Sequence, residues 1–166
     1  MAEKFKTRLR VKEVYMSDPL STKDEISTAQ WGDKLPLTLR DDELLITEGE
    51  PEEDEVFSHE NDTPEEVDFT GTGLTMTGSF IRATRSQMAA LMGGTAEAQS
   101  YEHPATKLQL EKAFKVICQD ESLVIIPRAQ GYVNMNLSLG KGGISKFPFK
   151  FRLKKASADW DCDIKL

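Results

Sequence analysis

Few residues in this chain have chemistry to offer, and they are poorly placed for it. His59 lies in an acidic stretch and His103 precedes Pro104. Neither has a metal partner at ligand spacing, and Glu55 with His59 is too common a pairing to count, so both read as surface histidines. Carboxylates are plentiful, but they cluster where no apolar pocket could raise the pKa of one above its neighbours, as acid–base hydrolysis requires. Gly140, Gly142 and Gly143 around Lys141 lack the spacing of a phosphate loop, and the hydrophobic strands on both sides make them a hairpin turn. Cys118 and Cys162 are far apart, in no paired motif, and read as small buried hydrophobes rather than a disulfide. Asn61-Asp62-Thr63 and Asn136-Leu137-Ser138 match the glycosylation pattern. The charged start MAEKFKTRLR lacks the apolar stretch of a secretory signal, however, so the chain is expected to be made and used in the cytoplasm, away from that machinery. These residues predict a protein that is not an enzyme, with no catalytic residues, no metal and no cofactor.

The elements that would have to position any site are mostly strands. The 166 residues, 39% apolar and 30% charged, suit one domain with a modest core. No window approaches the ~18 consecutive apolar residues of a membrane span, so no membrane partner is expected. Residues 4–15 alternate Phe5, Thr7, Leu9 and Val11 with Lys6, Arg8, Arg10 and Lys12, which predicts a strand with one apolar and one basic face. Residues 18–33 are polar and irregular; Leu35, Leu37 and Leu39 alternate again, with a further short strand at 44–47. Leu74, Met76, Gly78 and Phe80 alternate clearly. Thr84 with Gln87 fits a capping box, Met88, Leu91 and Met92 form a stripe, and Gly93-Gly94 stops the chain, which predicts a short helix over 84–92. After a polar linker over 95–106, Phe114, Val116 and Cys118 share a face, and Leu123 to Ile126 is an apolar run that Pro127 interrupts. Strands over 131–139 and 147–153 then flank the glycine turn. The tail from Ala156 shows no pattern. The sum is a mainly β fold, an antiparallel β-sandwich or small barrel with one short α-helix.

The distribution of charge matters more than the net −7. Between Asp41 and Ile81 stand 14 acidic residues and no Lys or Arg, leaving the other 14 acids and all 21 bases elsewhere. From Glu48 to Glu66 the apolar pattern stops and the run EGEPEEDEVFSHENDTPEE reads as a long acidic inter-strand arm, at about 48–66, leaving the domain. Its carboxylates beyond Glu48 are Glu50, Glu52, Glu53, Asp54, Glu55, Glu60, Asp62, Glu65 and Glu66. Opposed to them are two rows of cations, Lys6, Arg8, Arg10 and Lys12 near the start and Lys150, Arg152 and Lys154 near the end. Within one monomer these could pair, at ~0–1 kcal/mol for each exposed pair. Between copies the same layout makes a heterologous contact that closes into rings or runs on as filaments. Nucleic-acid reading is disfavoured, because the basic faces lack interleaved aromatics and the overall balance is acidic.

The order of these features resembles the tail tube (major tail) proteins of long-tailed bacteriophages, which are related to the tube proteins of type VI secretion systems. The acidic arm with Glu50-Pro51 and Ser58–Pro64, the strand Leu74–Phe80, the helix closing on Leu91-Met92-Gly93-Gly94, and Ser122–Ala129 with the strands and glycine turn after it carry the likeness, over roughly residues 48–155. The resemblance implies a single tail-tube-like domain over 1–166. It further implies a structural virion protein whose copies close into hexameric rings, and rings that stack into a hollow tube for DNA passage. Its partners would be copies of itself and other tail or baseplate proteins. DNA would transit the lumen without specific binding, and the assembled place would be the virion tail, built in the bacterial cytoplasm. The arm and the two basic rows are then the subunit-interface candidates. A tube subunit of a secretion or injection device, or a monomeric β-sandwich module that captures a partner with its acidic loop, fits the same features.

Overall fold

The structure, a computed structural model, describes residues 2–166. In chain order the elements are β1 (Val11–Ser17), α1 (Glu25–Thr28), β2 (Leu37–Thr38), β3 (Leu45–Glu48), β4 (Glu52–Val56), β5 (Glu66–Thr70), β6 (Leu74–Ile81), α2 (Arg85–Met92), β7 (Thr95–Ala96), β8 (Tyr101–Glu102), β9 (Leu110–Cys118), β10 (Leu123–Val133) and β11 (Phe147–Leu153). Seven strands form one antiparallel sheet in the order β1-β9-β10-β11-β6-β2, with β3 on the same edge of β6 as β2. The sheet curls until its ends meet: the Leu35 N–H, just before β2, donates to the Val14 carbonyl on β1 at 2.8 Å. The result is a nearly closed barrel, mainly β as the alternating pattern predicts.

Period-two alternation fills the interior. Phe147, Phe149, Phe151 and Leu153 of β11 point inward with Met76 and Phe80 of β6, Phe114, Val116 and Cys118 of β9, and Val124 and Ile126 of β10. Past Ile126 a bulge adds one residue to β10, since Ile126 pairs with Phe114 but Ala129 pairs with Lys112. The bulge lets the strand run through Pro127, which the sequence reading treats as an interruption, and Ala129 and Val133 become the inward residues. The helix α2 forms where its capping box and stripe predict. Thr84 Oγ1 accepts from the Gln87 N–H while the Gln87 side chain accepts from the Thr84 N–H, and Leu91 and Met92 enter the core.

Several expectations need correction. The first strand begins at Val11, not Lys4; residues 4–10 are irregular, and Phe5 is exposed because no neighbouring strand covers it. The segment 18–33 is not a polar loop: it includes the one-turn helix α1, a second helix beside α2. It also helps build a second small core on the outer side of β9 and β10, where Leu20, Ile26, Ala29 and Trp31 gather with Ala113, Ile125, Ala156 and Trp160. The unplaced tail is the other half of that core, with Lys165 bridging Ile125 through a pair of backbone bonds. The linker 95–106 holds the β7–β8 hairpin. The strand expected over 131–139 ends at Val133, and Leu137 and Leu139 are exposed on a loop held by an Asn136–Lys146 bridge. Among the described residues no helix is long and apolar enough to cross a membrane.

Candidate subunit interface

The acidic excursion is a regular β-ribbon. β3 pairs with β6 from Leu45↔Thr77 to Glu48↔Leu74, and β4 pairs with β5 from Glu52↔Thr70 to Val56↔Glu66. The two ladders share one register, so the arm continues the β3–β6 hairpin after a short break at 49–51 and 71–73. Thr72 anchors the break, its carbonyl accepting from the Arg152 guanidinium on β11. Beyond it the ribbon projects up to roughly 30 Å at ~3.3 Å per residue. At the tip the Glu65 carboxylate accepts from Asn61 at 2.7 Å and Ser58 at 3.0 Å. These bonds, Asn61's first, hold Glu65 below the usual carboxylate range. Thr63-Pro64 then turns the chain, and the Glu65 N–H closes the loop on the Val56 carbonyl.

Every residue of β4 and β5 is exposed, and the ladder sorts them onto two faces. One face carries Glu52, Asp54, Val56, Glu66, Asp68 and Thr70, with Asp54 directly opposite Asp68. The other sets Glu53 beside Phe69 and Glu55 beside Val67, with Phe57 one step further. Phe57, Val67 and Phe69 remain 55%, 39% and 64% exposed. Glu50 lies in the break, and Glu60 and Asp62 lie in the tip loop. Among the described residues, no lysine or arginine of the same chain forms a salt bridge with any carboxylate of the arm.

The cation rows fare differently. Lys6, Arg8 and Arg10 stand before β1 rather than on a strand face, and only Lys12 lies within it. Lys6 bonds Asp120 at 2.9 Å and Lys12 bonds Glu121 at 2.5 Å, and each bond raises the pKa of its lysine. These pairs strap the N-terminal segment to the β9–β10 turn, so Lys6 and Lys12 have acids of their own; Arg8 and Arg10 form no ion pair among the described residues. Lys150 and Arg152 lie on the outer face of β11, with Lys154 just beyond. Lys154 is 3.7 Å from Glu111, which already holds Arg128 at 2.6 Å. Lys150 and Arg152 have no acidic partner among the described residues.

A groove of about 500 Å³ runs along that outer face, lined by Gln109, Gln130, Tyr132, Lys150, Arg152 and Lys154. Tyr132 lies directly opposite Lys150 and Gln130 opposite Arg152. The aromatic beside this cation row escaped the sequence reading, since Tyr132 joins Lys150 only through the pairing of two strands. The common face of Phe57, Val67 and Phe69 follows from the register, which no spacing within one strand reveals.

His103 stands edge-on to Tyr101, with ring centroids 6.3 Å apart. Cys118 and Cys162 are free thiols in the two separate cores. No group of three His, Cys, Asp or Glu side chains among the described residues is disposed to hold a metal ion. No family model matches the chain, and no curated protein matches it.

Proposed function

We infer that this chain is a structural subunit that assembles with copies of itself and acts on no substrate. The bacteriophage tail tube proteins it resembles give the specific form: hexameric rings stacked into a hollow tube for DNA, with other tail or baseplate proteins at its ends and the virion tail as its place. One observation carries the reading. The arm is a ribbon of fixed register, acidic on both faces and apolar along one, and among the described residues no lysine or arginine of its own chain forms a salt bridge with it. Asp54 opposite Asp68 is a like-charge cross-strand pair, unfavourable within the isolated arm. Of the two basic rows, Arg8, Arg10, Lys150 and Arg152 form no ion pair among the described residues, and they belong to every copy. An acidic arm on one subunit set against a basic face on the next is a heterologous contact, which closes into rings or propagates.

Reversing Glu52, Glu53, Asp54 and Glu55 to Lys tests this. The variant should keep the wild-type circular dichroism spectrum and melting temperature, because all four side chains lie outside both cores, and it should lose concentration-dependent association in sedimentation velocity. Undiminished association would refute charge complementarity as the basis of assembly.

A further inference from the structure

The outer face of β10 and β11 and one face of the arm are patterned alike, with charge signs reversed. On the arm, the acids Glu53 and Glu55 of β4 stand beside the apolar Phe69 and Val67 of β5. On the barrel, the cations Lys150 and Arg152 of β11 stand beside Tyr132 and Gln130 of β10. Each is a two-row surface, charged along one strand and uncharged along the next. In each, the charged residues are alternate positions of one strand, ~6.6 Å apart, so the repeats match along their length. The opposite face of the arm lacks this order: its acids occupy both rows and its only large apolar residue is Val56.

We propose that the groove lined by Tyr132, Gln130, Lys150, Arg152 and Lys154 is the seat for the arm of a second copy of this chain, with the Phe69–Val67 face down and the glutamate row over the cation row. This rests on the self-assembly reading and deepens it, since it selects one face of the arm and one of the two basic surfaces. The seated arm buries Phe69 and Val67 against the Tyr132 ring, while Glu53 and Glu55 take the place of water around Lys150 and Arg152. Burial supplies affinity, and the charge rows set register and reject the reversed alignment. The face that docks is five residues long and two strands wide, below the ~800 Å² per partner of a standard stable interface. A single contact is therefore weak, and stable assembly requires the ring to close or the array to repeat.

The test uses the full-length chain in four forms: wild type, Glu55→Lys, Lys150→Glu and Phe69→Ser. All three altered positions are exposed, and none of these residues is in either core. Association is followed by sedimentation velocity over a concentration series. Each variant should need at least about tenfold more protein than wild type for half-association, because like charges then face each other or the apolar row is interrupted. An equimolar mixture of Glu55→Lys with Lys150→Glu should recover association, since each variant supplies the intact partner surface the other lacks and the two altered surfaces complement each other. Wild type that associates while all three variants match it would overturn the seat and leave the assembly reading standing. Wild type that stays monomeric throughout would overturn both. A labelled single-stranded oligonucleotide that binds wild type, loses binding on Lys150→Glu and leaves association unchanged would also overturn the seat, assigning the groove to nucleic acid.

Discussion

Phe149 shows how a single residue joins pattern, packing and stability. It lies mid-strand on the inward face, its ring stacked on Phe80 with centroids 4.5 Å apart. It also covers Gly78, where a β-carbon would come within 2.8 Å of the ring. Phe149→Ala should destabilise the barrel by about 3–5 kcal/mol, and Phe149→Asp should leave it unfolded; a urea titration of each checks this, and a wild-type midpoint for either would contradict the inward register. Asp42 contributes to the pH dependence of stability. Its carboxylate accepts from Lys146 at 2.6 Å and from Ser79 at 2.7 Å, and these bonds, Lys146's first, hold its pKa below the ordinary value. A lowered native pKa means that the unfolded chain takes up protons first, so this stabilisation is present above about pH 4 and is lost as pH falls below it. Asp42→Asn should therefore lower the urea midpoint at about pH 7 and converge on wild type in acid; a gap that persists unchanged in acid would contradict the assignment. Neither contact of Asp42 was legible in the sequence, because Ser79 and Lys146 reach it from strands far along the chain.

The hairpin from β3 to β6 is the element on which the functional reading depends. Since β4 and β5 continue its register, the arm can be removed at Glu48 and Leu74, which face each other, and the strands rejoined by an Asn-Gly turn. The barrel should then melt within about 5 °C of wild type while association is lost; loss of cooperative melting would show that the arm is part of the core structure. In the helix α2, Thr84→Ala should cost about 1 kcal/mol, measured by denaturant titration, because it removes the hydroxyl that accepts the Gln87 N–H. Elements with a local signature were readable in advance: α2 from its capping box and glycine stop, β6 and β11 from alternation. The arm was readable as an excursion but not as a ribbon, because acids on both faces erase the apolar alternation that normally marks a strand. Residues 4–10 failed in the opposite way, since a clean alternation there has no neighbouring strand to pair with.

For the molecule as a whole, the barrel and the second core stand on apolar packing, and the charge lies outside them in unmatched blocks. Among the described residues the acids of the arm pair with no cation, while Arg8, Arg10, Lys150 and Arg152 of the basic rows form no ion pair. The sequence carried this division plainly, because a segment with 14 acids and no base needs no structure to be seen. Whether the blocks meet within one chain was a question of geometry, and the projecting ribbon answers it by keeping them apart. Association driven by such blocks should weaken with salt, most steeply as the screening length falls from ~10 Å at 0.1 M to ~3 Å at 1 M; a salt-independent association would place the driving force in the apolar row alone. The central claim is self-assembly. Its most direct test is light scattering coupled to size-exclusion chromatography on the wild-type chain across a concentration series, with negative-stain microscopy of the heaviest fraction. The account predicts a mass that rises with concentration and rings or hollow tubes on the grid. A single monomer mass at every concentration, with no ordered particles, would contradict it.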